Sequence, residues 1–206
     1  MFRTRRIVAA LLALVASASL ASAAPVKYTV DGAHSEIGFD VRHLFSKVHG
    51  RFNTFQGSIV FDDKTPANIS VDATADAKSI WTDNEKRDGH LRGADFFATD
   101  SFPTLSFKST QVTAAGDKKY KIAGNLTMRG VTRPVVLDAE FLGAGQVAVG
   151  GQNWGGKAGF TATTVVNRQD FRINWNRTLD NGGLMLDDKV TLMLNIEANQ
   201  VPDSAK

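Results

Sequence analysis

Four histidines are the residues of this 206-residue chain best suited to holding a metal ion: His34, His43, His49 and His90. Imidazole is the commonest transition-metal ligand, but zinc sites bring such ligands together at short, regular spacings or combine them with cysteine. These histidines show no such spacing, and the chain contains no cysteine. The sequence therefore predicts no metal site, and we expect His34 to hydrogen-bond within a loop.

Paired carboxylates are the second group that could do chemistry, because two positioned carboxyl groups can serve as general acid and general base. They occur at Asp187-Asp188 and between Asp83 and Asp88. Both sets stand where aspartate commonly caps a turn or a helix start. No nucleophile elbow, glycine-rich phosphate loop or histidine-based triad accompanies them. The sequence predicts no catalytic residue and no resident cofactor.

Hydrogen-bond donors cluster where the first predicted hairpin turns, at Arg42, His43, Ser46 and Lys47. Such donors suit the phosphate or quinone head group of a lipid. The alternative is a solvated turn that only positions the hairpin. Both interpretations stay open, and the pattern does not indicate which end of the fold would receive a head group.

The elements that must position these residues are strands. Apolar and polar residues alternate through most of the chain, as in a strand with one buried face. The pattern predicts eight strands, separated by turn residues that include the glycine-rich segment 143–156, and a short helix over 83–93. We expect this helix and the irregular segment 167–183 to cover an end of the fold. The strands lie near residues 35–43, 55–61, 67–77, 105–107, 120–128, 135–141, 154–166 and 190–198.

Eight antiparallel strands can close into a barrel or stack as two sheets, and periodicity alone does not choose between them. The third strand carries alanine at most of its inward positions, including Ala73, Ala75 and Ala77. Small side chains leave space, and an eight-stranded barrel can hold a small ligand in its interior.

Twelve apolar side chains on the inward faces are candidates for lining such a space, or for filling a closed core. Each methylene that a ligand buries contributes about 0.8 kcal/mol, so an apolar wall alone can hold a lipid tail even after the costs of association. The candidates are Ile37, Phe39, Val41, Phe55, Ile59, Leu105, Phe107, Ile122, Leu126, Leu137, Phe160 and Leu192.

The N-terminal segment has the features of a cleaved secretory signal peptide. Three arginines precede an apolar run over residues 7–20 that ends in Ala21-Ser22-Ala23. We expect cleavage after Ala23 and a single domain over 24–206. Three of the 24 basic side chains lie in this segment, so 21 remain against 21 acidic ones. A nucleic-acid-binding protein usually keeps a basic excess, so we expect no nucleic-acid partner.

Short motifs in a fixed order are more specific than the alternation of apolar and polar residues. The first group covers residues 31–39, 41–43 and 46–52, and the segment 124–132 follows in the middle of the chain. The remaining motifs are Asp88-Gly89-His90-Leu91, Asp95-Phe96-Phe97, Phe102-Pro103, Asn167-Arg168 and Asp170-Phe171.

Together these motifs resemble the YceI-like family of bacterial exported lipid-binding proteins, over about Lys27 to Ala198. The resemblance implies an all-β fold, a lipocalin-like eight-stranded antiparallel β-barrel with one short helix covering an end. It also implies a tunnel for a polyisoprenoid or an isoprenoid quinone, a periplasmic location, and neither a catalytic centre nor a metal.

The leading hypothesis is therefore a periplasmic carrier that holds such a lipid in a hydrophobic tunnel without catalysis. An enzyme acting on an isoprenoid lipid would need a titratable group deep in the cavity. A partner-binding barrel with a filled core would lack the cavity. Transient contact with an inner-membrane protein and a homodimer are further partner hypotheses.

Overall fold

The computed structural model describes residues 24–202, so the predicted signal peptide lies outside the described residues. Within this range the chain forms eleven strands and one α-helix, with short 3-10 turns at Pro66–Asn68, Ala77–Ser79 and Arg168–Phe171. The elements are β1 (Val26–Val30), β2 (Glu36–His43), β3 (Ser46–Phe52), β4 (Phe55–Phe61), β5 (Ser70–Asp76), β6 (Ile80–Trp81), α1 (Glu85–Arg92), β7 (Thr104–Gly116), β8 (Lys119–Met128), β9 (Val131–Val149), β10 (Gln152–Asn167) and β11 (Leu186–Gln200).

Eight strands close an antiparallel ring in the order β1, β4, β5, β7, β8, β9, β10 and β11, because β11 pairs back onto β1. β11 is long enough to pair with two strands in succession. Tyr28 of β1 stands opposite Gln200, and Ile37 of β2 stands opposite Leu194. The predicted all-β, lipocalin-like eight-stranded antiparallel barrel with one short helix is confirmed.

The β2–β3 hairpin extends the wall of the barrel at one end. β2 pairs with β11, and β3 pairs with β2 and with the short strand β6. The chain bends at Asn53 and Thr54, so that β3 and the following strand β4 pair with different neighbours. β1, β3 and β6 were not among the predicted strands, because two of them are very short and β3 carries mostly polar side chains.

The glycine-rich segment was predicted as a turn, and this was wrong. β9 continues to Val149 and β10 resumes at Gln152, with only Gly150-Gly151 left as the turn. Both turn glycines have positive φ, which a two-residue hairpin turn of this hand requires. The other glycines continue the ladder, since cross-strand hydrogen bonds come from the backbone and need no side chain.

The helix α1 forms where it was predicted. Asn84 is its N-cap, and the Asn84 side-chain oxygen accepts a hydrogen bond from the Arg87 backbone N–H at 2.9 Å. Glu85 and Asp88 lie in its first turn, where negative charge is favourable. No helix within residues 24–202 is long and apolar enough to cross a bilayer.

Packed aromatic rings fill one half of the barrel. Phe61, Phe141 and Phe160 form a compact cluster with ring-centroid distances of 4.4, 5.3 and 5.5 Å. Tyr28 and Tyr120 pack edge-on against it. This aromatic plug belongs to the half of the barrel in which β1 meets the end of β11.

Candidate functional site

The other half of the barrel contains a cavity of about 640 Å³. Its walls come from β2, β3, β5, β7, β8, β9, the end of β10 and β11, together with α1, the segment that follows α1 and the segment around the last 3-10 turn. The structure brings nine of the fifteen predicted site residues to this wall: Ile37, Phe39, Val41, His43, Leu105, Phe107, Leu126, Leu137 and Leu192.

The small residues of β5 contribute to the space. Val71, Ala73 and Ala75 line the cavity from this strand, and Ala73 stands opposite Phe107 in the ladder. Ala77, predicted on the same face, instead begins the 3-10 turn after β5 and is buried away from the cavity wall. Small side chains of β5 therefore stand beside a phenylalanine and a leucine of β7 on this wall, and they leave part of the interior unfilled.

Four predicted apolar residues do not reach the cavity wall. Ile59 and Ile122 are buried in the core, and Phe160 belongs to the aromatic plug. Phe55 packs against a second buried group that contains Phe52. The alternation places a side chain inside the barrel but does not tell how far along the barrel axis it lies, so cavity and plug residues share one pattern.

Two of the predicted polar residues also lie off the cavity wall. The Arg42 side chain is 66% exposed, and its Nε donates to Asp187 Oδ2 at 3.2 Å. Ser46 is exposed, and its hydroxyl donates to the His43 carbonyl at 3.4 Å. Of the predicted donor cluster, His43 alone lines the cavity.

The cavity opens beside α1. The four exposed residues of its lining are Asn84, Lys86, Arg87 and His90, which belong to this helix and its N-cap. The rest of the lining is buried or half-buried. An apolar molecule inside the barrel would therefore meet polar and charged side chains at one end.

Aromatic rings lie at the same end. The imidazole of His90 stands edge-on to Phe96 and Trp175, with centroid distances of 4.9 and 5.0 Å, and these two rings are 5.2 Å apart. His90 Nε2 lies 3.0 Å from Asp95 Oδ2, which fixes the ring orientation. All three rings line the cavity, so this aromatic cap joins α1 to the segment that follows the last 3-10 turn.

Arg168 is the one charged residue of the lining that is buried, with 3% of its surface exposed. Its guanidinium donates to the carbonyls of Ile173, Trp175 and Asp187 at 2.7–2.9 Å and to Asp188 Oδ1 at 2.8 Å. Burial lowers the pKa of Arg168, and the nearby Asp188 carboxylate opposes that shift. The side chain thus holds the segment that carries Trp175.

A second polar network fixes α1. The buried Asp88 carboxylate accepts hydrogen bonds from the backbone N–H and the hydroxyl of Thr82. Arg87 donates to the hydroxyl and carbonyl oxygens of Thr82 at 2.7 and 2.6 Å. These contacts attach the helix to the end of β6 beside the opening.

Sequence reasoning did not assign Phe52, Phe96, Trp175 or Arg168 to the site, although all four line the cavity. Phe52, Phe96 and Arg168 stand in the ordered motifs, and this was the available signal. Trp175 lies in an irregular segment, where no periodicity indicates which way a side chain faces.

One group of ligand-type side chains lies away from the cavity. Asp31, His34 and Glu197 place their ligand atoms within 4.8 Å of one another. Lys157 Nζ lies 3.4 Å from Asp31 Oδ2 and 3.2 Å from Glu197 Oε1, so both carboxylates already share one ammonium as their ion-pair partner. His34 bonds to Asp31 within its loop, as expected from the sequence.

Comparison with known proteins identifies the family to which this chain belongs. A model of the YceI-like domain matches residues 28–198. The chain belongs to the YceI-like family. It is 42% identical over 161 residues to a UPF0312 protein of Photorhabdus laumondii, which covers 77% of this chain and 81% of that protein. The resemblance seen in the motifs is confirmed.

Solved structures share the barrel of this YceI-like protein. BcnA of Burkholderia cenocepacia superposes with a TM-score of 0.71 at 22% identity, over 82% of this chain and 99% of that one. A polyisoprenoid-binding domain from Saccharophagus degradans, implicated in plant cell wall breakdown, gives 0.60 at 13% identity, over 85% and 99%. At these identities the likeness concerns the fold.

Proposed function

We propose that this YceI-like protein is a periplasmic carrier that holds a polyisoprenoid or isoprenoid-quinone lipid in its cavity and catalyses no reaction on it. The observation that carries the proposal is the apolar cavity with polar side chains at its opening. Its volume of about 640 Å³ falls within the range of roughly 300–1,000 Å³ of protein ligand pockets. The polyisoprenoid-binding domain that shares the fold gives independent support for this class of ligand.

Apolar burial supplies the binding energy. Leu105, Leu126, Leu137 and Leu192 face the cavity from four different strands, so a hydrocarbon chain would be surrounded by methyl groups. Each buried methylene contributes about 0.8 kcal/mol, and ordering the lipid offsets part of the sum. A tail with no polar atoms needs no hydrogen-bond partner there.

The polar opening orients the lipid. Asn84, Lys86 and His90 offer donors at the mouth, while the deep wall is lined by hydrocarbon. A quinone carbonyl or another polar head can therefore remain near water with the tail inside. This arrangement favours insertion with the tail first.

The competing functions fit the geometry less well. A cavity of this size argues against a barrel with a filled core. An enzyme would need a reactive titratable group beside the buried part of the substrate. Arg168 is buried there, but its donors are occupied by three backbone carbonyls and one carboxylate. The other ionisable side chains of the lining are His43 and, on the exposed helix α1, Lys86, Arg87 and His90.

The test is native mass spectrometry and lipid extraction on protein purified without detergent from the periplasm of its own host. A stoichiometric isoprenoid or quinone adduct would support the carrier function and identify the cargo. A bare protein that also takes up no added isoprenoid lipid would contradict it. Recovery of the protein in the periplasmic fraction, lost when residues 1–23 are deleted, tests the predicted export.

A matched pair of variants assigns the binding to the cavity. Leu192→Gln places an amide on the cavity wall, where desolvating it weakens binding of an apolar tail. Val165→Gln makes the same kind of change on the neighbouring strand β10, where the Val165 side chain is 59% exposed. Lipid should be lost from the first variant and retained by the second.

A further inference from the structure

The tip of the β2–β3 hairpin presents an apolar side chain to solvent. Phe45 is fully exposed, and the preceding Leu44 adopts the left-handed conformation with φ of 53°. The Leu44 N–H donates to the Met185 carbonyl at 2.9 Å, so the tip is attached to the loop before β11. In that loop Leu184 is 54% exposed. Two exposed apolar side chains therefore project from neighbouring loops.

Both loops border the cavity. His43 and Val48, on either side of the hairpin tip, line it, and so does Leu186, two residues after Leu184. Single exposed apolar residues are common on protein surfaces and need no explanation. Here, however, two of them come from loops that end at the cavity wall. The Leu186 backbone is hydrogen-bonded to Asn176, and the adjacent Trp175 contacts His90 of α1, so these loops lie at the end of the barrel where the cavity opens.

The hairpin tip itself carries positive charge. Residues 42–47 contain Arg42 and Lys47 and no carboxylate, and Asp187 neutralises only Arg42. Lys47 has no carboxylate within 4.0 Å in the part of the chain that the structure describes. At the start of α1, the two carboxylates of Asp83 and Glu85 balance the charges of Lys86 and Arg87, whereas residues 42–47 have no carboxylate of their own. Aromatic residues next to basic ones are typical of surfaces that bind a membrane interface.

We propose that Leu44, Phe45 and Leu184 form a docking surface for a lipid bilayer and bring the cavity opening against it. The inference rests on the proposed function, since a lipid with a long apolar tail is scarce in water and reaches the cavity from a membrane. Phe45 would enter the interface, and Lys47 would contact anionic head groups. A barrel docked in this way receives its ligand without exposing the tail to water.

The test is co-sedimentation with vesicles of phosphatidylethanolamine and a minor share of phosphatidylglycerol. Phe45→Ser should weaken the partition coefficient at least about tenfold, because the variant loses the burial of one large apolar side chain. Val165→Ser, at an exposed position on the barrel wall, should partition like the parent protein. Equal partition of the parent and Phe45→Ser would overturn the proposal.

A gain-of-signal variant adds a positive readout. Phe45→Trp should keep vesicle binding. The fluorescence emission of the introduced indole should shift to shorter wavelength when vesicles are added. The spectrum of the parent protein is subtracted to correct for the emission of the other tryptophans, which are Trp81, Trp154 and Trp175. Absence of any shift at a vesicle concentration that sediments the variant would show that the tip stays in water, and the proposal would be wrong.

Two uptake assays separate this proposal from the proposed function. Phe45→Ser should take up a fluorescent isoprenoid from cyclodextrin at the parent rate, because its cavity is unchanged. From vesicles its uptake should be slower. A protein that docks on vesicles through Phe45 but takes up no isoprenoid from either source would keep the docking surface and contradict the carrier function.

Discussion

The ring of Phe107 lies so close to Gly124 on the neighbouring strand that a Cβ at position 124 would stand 2.4 Å from Phe107 Cζ. The Lys108 carbonyl oxygen would be 2.7 Å away. Gly124 therefore provides the space that Phe107 needs to take its place on the cavity wall.

Gly124→Ala should lower the free energy of unfolding by about 1–3 kcal/mol, as overpacking of an interior does. It should also weaken lipid binding, because the displaced ring of Phe107 enters the cavity. Urea denaturation and a fluorescent-lipid titration measure the two effects. Gly145→Ala is the control, since a Cβ there meets nothing within 4 Å. Equal stability of the two variants would contradict the steric argument.

Arg168→Met should destabilise the protein by about 3–5 kcal/mol, because several buried carbonyls and the Asp188 carboxylate lose their partner. Arg42→Met is the matched control. Its ion pair with Asp187 is exposed, and such pairs contribute about 0–1 kcal/mol. Chemical denaturation of both variants checks the difference, and a loss below 1 kcal/mol for Arg168→Met would show that the buried network is dispensable.

Acid should remove a stabilising contribution from Asp31. A hydrogen bond with His34 is the largest contact that lowers the pKa of Asp31 from 3.8 to about 2, and burial opposes it. Because the pKa is lower in the folded protein, the stabilisation is complete above about pH 4. It is lost as the pH falls through this range towards 2. The free energy of unfolding, measured by urea denaturation at several pH values, checks this. Asp31→Asn should remove this part of its pH dependence, whereas Asp180→Asn, in an exposed loop, should show the same pH dependence as the parent protein.

Trp175→Ala should speed the release of bound lipid. The indole contacts His90 and Phe96 at the end of the cavity where α1 lies, and its removal opens that aromatic cap. Stopped-flow displacement of a fluorescent isoprenoid measures the off-rate. Trp154→Ala, an exposed tryptophan on the β9–β10 hairpin, should release the lipid at the parent rate. An unchanged off-rate in Trp175→Ala would mean that the cap does not control release.

The sequence predicted which faces of the strands point inward, but not which part of the interior is filled and which part is cavity. Ile122 and Leu126 share one face of β8 and are both buried, yet only Leu126 lines the cavity. Alternation with a period of two fixes the face of a residue and carries no information on its depth. The division depends on cross-strand neighbours such as Ala73 and Phe107, which only the strand register brings together.

The glycines of the motifs show a second limit of prediction from the sequence. Gly50 lies under Phe39, as Gly124 lies under Phe107, with a hypothetical Cβ 2.3 Å from the ring. From the sequence, a glycine within a strand indicates a bulge or a close approach, without naming the group that approaches. Arg168 stands in a motif, but its role was equally hidden, because most of its partners are backbone carbonyls, whose positions no sequence pattern predicts.

The aromatic plug makes the cavity a dead-end chamber. Under the proposed function, a lipid that enters past α1 would meet the packed rings of Phe61, Phe141 and Phe160 at the far end, so it would leave through the same opening with its head group first. An incoming molecule could then not displace the bound one from behind. Exchange would alternate between release and uptake, and at saturating lipid its rate would equal the rate of release and would not depend on the concentration of incoming lipid.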